Sequence, residues 1–384
     1  MSYMTEERQM IKDTAAEFTN NVVLPLANEL DPQKGTIPRS LIEQMGELGF
    51  FGIKAPEELG GSGMGCFEYC LIAEELCRGW MSVGSIIARS DTNFLKNLKP
   101  EIQERLIPRA VSGDFLIAAA LSEPDVGSDL SGIKCRAEKD GDYYVITGSK
   151  YWVTYADGSD AIIVFARTTP REENPTKPYM GISGFLIEKP RGELPVGCSG
   201  SPIPKIGYYG WNTFELAFDG CRVHKDFLIG QEGAAFKMLT SGLEIPRAHT
   251  AARSIGAAQG ALDCAITYAK ERVQFGKPIA QFQDLRFKIA RMATDIEAAR
   301  QLMYSVCDKI DSGGRCDKEA AMVKYFAAEM SERVTSDALQ ILGGAGYTHH
   351  FPVERYWRDA RLTKIFEGTS EIQQRIISDH LLGR

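Results

Sequence analysis

The chain has 384 residues, 44% of them hydrophobic and 25% charged, which fits a soluble globular protein with room for two or three domains. A formal charge of −7 argues against a surface built for polyanions, so nucleic acid is a poor partner. No run of about 18 apolar residues occurs, so no spanning helix is expected, and the charged start MSYMTEERQMIKD fits neither a secretory signal nor a mitochondrial transit peptide.

Residues 1–115 read as an N-terminal helical domain. TEERQMIKDTAAEFTNNVVLPLANEL has apolar residues at about 3.6 spacing behind a threonine and two glutamates, and FEYCLIAEELCRGWMSVGSIIA is a second long apolar helix. The glycine-rich APEELGGSGMG between them is a loop. Residues 116–227 change character. GDYYVITGSKYWVTYADGSDAIIVFART, ISGFLIEKP and FELAFDGCRV alternate β-branched and aromatic clusters with Gly, Asp and Ser, and no long helices intervene. This predicts a middle antiparallel β-domain. Residues 228–384 return to helix: three segments of near 28 residues, starting at LEIPRAH, QDLRFKI and KEAAMVK, with a short last helix make a C-terminal four-helix bundle. The fold class is α+β, ordered helical, β, helical.

Nine cysteines (Cys66, Cys70, Cys77, Cys135, Cys198, Cys221, Cys264, Cys307 and Cys316) form no CxxC pair, and an odd, scattered set suits reduced thiols in a cytosol. The His349-His350 pair has no i,i+4 partner and no nearby cysteine, so no metal site is expected. No GxGxxG follows a predicted strand, which argues against a Rossmann-type nucleotide site. Gly343, Gly344 and Gly346 follow a long helix in LQILGGAGYTHH. They are either a helix C-cap or bare backbone that lets N–H groups approach a pyrophosphate.

Five segments together carry a resemblance. LSEPDVGSD (121–129), YWVTYADGSD (151–160), ERVQFGKPIAQFQ (271–283), QILGGAGY (340–347) and IFEGTSEIQ (365–373) occur in the order of the acyl-CoA dehydrogenase flavoproteins, across all three regions. The resemblance implies that family's three-domain fold and a non-covalent FAD between β-domain and bundle. By position, Leu121, Ser122, Gly127 and Ser128 resemble the loop at the isoalloxazine ring, with Ser128 also toward substrate. Trp152 and Thr154 resemble the residues on the flavin face. Arg272, Phe275 and Gln283, with Gln340, Gly343 and Gly344, resemble the set that holds pyrophosphate and adenosine and that reaches into a neighbouring subunit. Thr369 and Glu371 resemble further cofactor contacts. A homo-oligomer, tetramer or dimer, follows. Taken singly, Trp152 is a core strand tryptophan and Arg272 a solvated helix residue.

Glu367 stands between Phe366 and Gly368, just before a helix. It matches the family's catalytic base. An α-proton beside a thioester is weakly acidic, and removing it needs a base held against it. Burial against Phe366 and an acyl chain is expected to raise the carboxyl's pKa. Gly368 allows the turn, Thr369 or Ser370 caps the helix, and Ser370 with Gln373 fits a capping box. The competing reading is a glutamate that complements a helix dipole and has no chemical role. Glu244 and Arg247 resemble contacts to CoA. Some branches carry their base near here, at a position that Pro246 occupies in this chain.

The segment SIIARSDTNFLKNLKPEIQ departs from the family. Read as helix, it puts Asp91 on a face with Ile87, Phe94 and Leu95, and an acid on an apolar stripe is costly unless paired or used. Asp91 therefore ends the helix through SDTN, pairs with Arg89, or faces the substrate as a second, distal acid. The last case resembles the branch acting on alicyclic CoA thioesters, cyclohexane- and cyclohexene-carboxyl-CoA. Arg89 offers an alternative, recognition of a dicarboxylic acyl group. Tyr209 and Trp211 either reshape the pocket rim or fill the β-domain core.

The sequence thus points to an FAD-dependent acyl-CoA dehydrogenase in the cytoplasm, acting on a short or alicyclic acyl-CoA and passing electrons to an electron-transferring flavoprotein. An ordinary short-chain or dicarboxylic dehydrogenase, an oxidase, a desulfinase-like homologue, and a non-catalytic protein that binds CoA esters are the rivals.

Overall fold

The computed structural model describes residues 3–383, and its elements run helical, then β, then helical. Thr5 starts α1 (Glu6–Phe18) by accepting the Arg8 N–H at 3.2 Å, with Glu6 and Glu7 in the first turn where the helix dipole favours negative charge. The single helix expected here is interrupted by a π turn (Thr19–Val23) before α2 (Leu24–Leu30). After α3 (Arg39–Glu47) comes α4 (Cys66–Gly79), buried along nearly its whole length. An extended Trp80 then separates it from the short α5 (Met81–Ile86), and α6 (Pro100–Val111) leads to the sheet.

Eight strands form one sheet: β1 (Ile117–Ala120), β2 (Arg136–Asp140), β3 (Tyr143–Thr154), β4 (Ala161–Arg167), β5 (Ile182–Glu188), β6 (Cys198–Pro202), β7 (Thr213–His224) and β8 (Leu228–Ile229), in the order β6-β7-β3-β2-β4-β5-β8, with β1 also on β4. The expected antiparallel pairing needs one correction. β1 and β2 run parallel to β4, β1 along 161–164 and β2 at Arg167 alone. Both lie along β4, so the chain between them, 121–135, leaves the sheet and returns to it. Residues on alternate sides of β4 enter two different cores, Ile163 and Phe165 with Leu106 and Ile107 of α6, and Ile162 and Val164 with Tyr144 and Phe218. That is why β4 reads as a continuous apolar run.

The last region holds α7 (Ala235–Thr240), α8 (Glu244–Glu271), a small hairpin of β9 (Val273–Gln274) and β10 (Lys277–Pro278), α9 (Gln283–Asp311), α10 (Asp317–Leu342), α11 (Val353–Leu362) and α12 (Ser370–Leu382). The three long helices have 28, 29 and 26 residues. α11 was not among the expected elements. One hydrophobic core unites the first and last regions, with Leu71, Leu76 and Trp80 packed among Ile255, Met303 and Val334. Each such side chain contributes roughly 1.5–3 kcal/mol on full burial. α4 and α8 touch backbone to backbone. A Cβ on Gly256 would lie 2.2 Å from the Glu74 carbonyl oxygen, and one on Gly260 2.6 Å from that of Arg78. This contact fixes the rotation of α8, and with it the direction of Arg253 and Thr250, three and six residues before Gly256.

Candidate active site

Glu367 occupies the turn between α11 and α12. Its own φ is +53° and that of Gly368 is +86°, so two successive residues are left-handed and only the second is a glycine. The turn is clamped from outside. The Gly368 carbonyl accepts from Lys324 Nζ at 2.6 Å and Gln373 Nε2 at 3.0 Å. Thr369 caps α12 by accepting the Ile372 N–H at 3.3 Å. The expected Ser370–Gln373 capping box is absent, because Ser370 donates to Glu329 and Gln373 is taken up by Gly368.

The carboxylate itself is not sunk in an apolar pocket, as the sequence suggested. Its side chain is 37% exposed and is held by α8. Arg253 Nη2 donates to Oε1 at 2.5 Å and to Thr250 Oγ1 at 2.7 Å. The Thr250 hydroxyl has one proton for two acceptors, Glu367 Oε2 at 3.0 Å and the Pro246 carbonyl at 2.9 Å. Arg253 is buried and also lies over the Phe366 ring at 4.6 Å. Burial pulls its pKa down, but the charge of Glu367 and the hydrogen bond to it outweigh burial and leave it above the ordinary value.

Around this pair stand residues that the sequence did not single out. Tyr208 (φ +57°) packs edge-on against Phe366 at 5.8 Å, while its backbone N–H donates to Asp359 at 2.5 Å. Burial pushes its phenol up to about 12. Tyr69 of α4 stacks on His249 of α8 at 4.7 Å. His249 Nε2 lies 3.2 Å from the Gly84 carbonyl, which can only accept, so Nε2 carries the proton. Burial and the nearby Arg253 keep that imidazole neutral, its pKa well below the ordinary value. The phenol of Tyr69 is raised first by burial and then by the charge of Asp91.

Asp91 is not on an α-helix, which corrects the face assigned to it. α5 stops at Ile86, a tighter turn runs over Ile87–Ser90, and Asp91 is extended. Its Oδ1 accepts the Asn93 N–H at 3.0 Å, an Asx turn that competes locally with helix. Among the described residues no ion pair joins it to Arg89. Arg89 has its guanidinium 5.3 Å from the Trp211 ring, and its buried Nε has no hydrogen-bond partner. Trp211 belongs to the helical core with Tyr155 and Tyr208, and the Tyr209 hydroxyl donates to the Lys205 carbonyl at 3.1 Å, so neither fills the β-sheet core. At the start of α8, Glu244 is half-buried, and buried Arg247 has an Nη1 with no hydrogen-bond partner, 3.8 Å from Asp317.

The positions that the resemblance gives to FAD fall into two groups. Leu121, Ser122, Gly127 and Ser128 lie on the excursion between β1 and β2. Its base is pinned by buried Glu123, which accepts from the Lys134 and Cys135 N–H groups at 2.8 and 2.9 Å and from Lys150 Nζ at 2.8 Å. Lys150 Nζ also donates to the Leu121 carbonyl at 3.0 Å, and the Ser122 carbonyl accepts from Tyr151 at 2.8 Å. A break in the β3–β7 register between Lys150 and Val153 turns Trp152 outward at φ +63°, 57% exposed. Thr154 lies two residues on, its hydroxyl 3.2 Å from that of Thr213. Leu121 and Ser122 are thereby tied to β3 next to Trp152.

The second group stands apart. Arg272, Gln283 and Gln340 are exposed, and Phe275 is 93% exposed at φ +51°. No hydrogen bond, ion pair or ring contact among the described residues joins them to Trp152 or the 121–128 loop. Thr369 ends the Glu367 turn, and exposed Glu371 lies in the first turn of α12. Gly343 ends α10 at φ +60°, which satisfies the C-cap reading. Gly127 and Gly344 have neither a left-handed φ nor a close neighbour: a Cβ on either would meet nothing within 4 Å. Packing within the chain does not explain them. Open glycine backbone and an outward tryptophan fit a large planar cofactor bearing phosphates.

Comparison with known proteins agrees with this fit. Models of the N-terminal, middle and C-terminal domains of acyl-CoA dehydrogenase match residues 5–114, 118–221 and 233–382. The chain is 40% identical to an acyl-CoA dehydrogenase of Bacillus subtilis over 99% of both proteins. It is 37% identical to a 3-(aryl)acrylate reductase of Clostridium sporogenes, covering 99% of this chain and 100% of that one. It is 39% identical to a (2S)-methylsuccinyl-CoA dehydrogenase of Cereibacter sphaeroides, covering 99% and 70%. Among solved structures, one from work on the electron transferring flavoprotein of Acidaminococcus fermentans superposes with a TM-score of 0.93 at 38% identity, over all of both chains. A glutaryl-coenzyme A dehydrogenase in complex with glutaryl-CoA gives 0.91 at 33% identity, covering 99% of this chain and 96% of that one.

Proposed function

Since the chain belongs to the acyl-CoA dehydrogenase family and is an FAD-dependent oxidoreductase, we propose that it desaturates a short or alicyclic acyl-CoA, with Glu367 taking the α-proton. The observation that carries this is the strained Glu367 turn, clamped at Gly368 and aimed by Arg253 and Thr250. A non-Gly residue held left-handed by its surroundings marks a position whose direction matters more than its stability. When bound, FAD supplies the acceptor for the β-hydride.

The protein's own part is proton handling and placement. Transfer of the α-proton to Glu367 discharges the Glu367–Arg253 pair. The Arg253 charge then faces the developing enolate, so the net charge of the site is unchanged. Arg247, with a buried N–H lacking an acceptor, and Glu244 contact the CoA portion. Asp91 reaches a carbon farther from the thioester than Glu367 and serves 1,4-elimination from a ring; its proximity to Tyr69 on the wall of the Glu367 cluster supports this. The 272–283 and 340–344 segments complete the cofactor site of a neighbouring subunit in a tetramer or dimer. Electrons pass to an electron-transferring flavoprotein in the cytoplasm. No helix among the described residues is long and apolar enough to cross a membrane.

A second reading has its own observation. Arg89, unpaired at Nε and near the same cluster, suits the distal carboxylate of a dicarboxylic acyl-CoA. An anaerobic titration of the flavin spectrum separates the two. Bleaching by cyclohexane- or cyclohexene-carboxyl-CoA and not by butyryl-CoA supports the alicyclic reading. Bleaching by glutaryl-CoA alone transfers the role to Arg89, by butyryl-CoA alone leaves a short-chain enzyme, and by none of them rejects the substrate range.

A further inference from the structure

Three cysteines that look scattered in the sequence converge in the fold. Cys66 and Cys70 are one helical turn apart on α4, and Cys307 comes from α9. Cys66 Sγ lies 3.9 Å from Cys70 Sγ and 3.8 Å from Cys307 Sγ, and all three sulfurs fall within 4.8 Å of one another. The three residues are 0–2% exposed. Beside them the Phe67 and Tyr304 rings pack at 4.9 Å.

Small buried thiols also occur as plain apolar filling. Three features go beyond filling. First, a point equidistant from sulfurs so spaced lies roughly 2.2–2.5 Å from each, which brackets the metal–thiolate bond length of about 2.3 Å. Second, Cys66 is the first residue of a 14-residue helix, where the dipole favours a thiolate. Third, the nearby carboxylate is already engaged. Asp311 accepts the Cys66 and Phe67 N–H groups at 2.6 and 2.9 Å, so the sulfurs are left as the converging donors.

We infer that Cys66, Cys70 and Cys307 form a three-thiolate site for a low-coordinate, thiophilic d10 cation of the Cu(I) or Cd(II) type, bridging α4 and α9. Binding is not redox chemistry: each ligating thiol releases its proton to solvent and each sulfur donates a lone pair to the ion. The site lies outside the Glu367 cluster and needs none of its residues.

The test uses the reduced, FAD-loaded protein equilibrated overnight with Cd(II), read by the thiolate-to-metal charge-transfer band in the ultraviolet difference spectrum and by bound metal after desalting. One Cd(II) per chain is expected. Affinity should fall at least about tenfold in both Cys66→Ala and Cys307→Ala and stay unchanged in Cys264→Ala, with the flavin spectrum retained as the sign of folding. Absence of binding to the unmodified protein, which requires no variant to fold, overturns the proposal. So does binding that survives both alanine variants.

Discussion

The Glu367 cluster and the cofactor rim are built on opposite plans. At the cluster, Glu367, Arg253 and Thr250 hydrogen-bond one another, Tyr69 and His249 stack, and Tyr208 is anchored by Asp359, all within one chain. At the rim, Phe275 is 93% exposed, Trp152 57%, and Gly127 and Gly344 face open space. Polar groups buried in low dielectric cost stability unless paired, so most of the cluster's contacts lie within it. Exposed aromatics and unneeded glycines have no such constraint. The first kind of site can be understood from the chain alone, and the second only together with what it binds.

The largest expected effect tests the cluster. Glu367→Gln should lower kcat by about 10³-fold with butyryl- or cyclohexanecarboxyl-CoA while FAD stays bound, as single-turnover flavin reduction would show. A loss below tenfold would remove Glu367 from the chemistry. Next comes the rim. Arg272→Ala should yield protein depleted in FAD, read from the ratio of visible to ultraviolet absorbance. Co-expressing it with Glu367→Gln sharpens the contrast. If the 272–283 segment serves a neighbour, mixed oligomers contain sites with an intact base and an intact rim, and activity should reappear. If each chain completes its own site, mixing restores nothing.

Lys324 clamps the Glu367 turn through Gly368. Replacing it by Met should cut kcat about tenfold by loosening the turn, with little change in FAD content. It also carries a pH signature. Burial lowers the Lys324 ammonium from 10.5 to about 8. Between those values the unfolded chain holds a proton that the folded chain has released, so stability rises with pH across 8 to 10.5. The cost of burying the charge is fully present below 8. Urea unfolding at pH 7.5, 9 and 10 should show this slope in the native protein and a shallower one in Lys324→Met. The smallest effect is Asp91→Asn, which should leave butyryl-CoA turnover within about twofold and impair only cyclic substrates. A general loss would give the Asp91 charge a role with every substrate, since asparagine keeps the oxygen that accepts the Asn93 N–H.

Much of the fold was legible because long runs with helical period and strand-like clusters are local signals. The three-part order and the long helices α8, α9 and α10 followed from them. Two misreadings have local causes. A π turn breaks the first helix without altering its periodicity, and Asp91 looked helical because apolar spacing cannot register an Asx turn. The partners of Glu367 were hidden by distance, since Arg253 is 114 residues away. A signal did exist. α8 is rich in Ala and Gly on all sides, which means burial on all sides, so His249, Thr250 and Arg253 had to be interior polar groups. The thiol cluster was hinted at by the four-residue spacing of Cys66 and Cys70, while Cys307 lies 241 positions from Cys66.

Trp152, Phe275 and Glu367 share φ values between +51° and +63°. Each L-residue held there costs the fold about 1 kcal/mol that asparagine or glycine would largely recover. Selection for heat resistance alone would therefore drift toward those residues at Trp152 and Phe275, and would spare Glu367, whose carboxylate pairs with buried Arg253. A laboratory lineage evolved in that way, without assay of turnover, should become sturdier and lose its outward indole and its exposed phenylalanine while keeping Glu367.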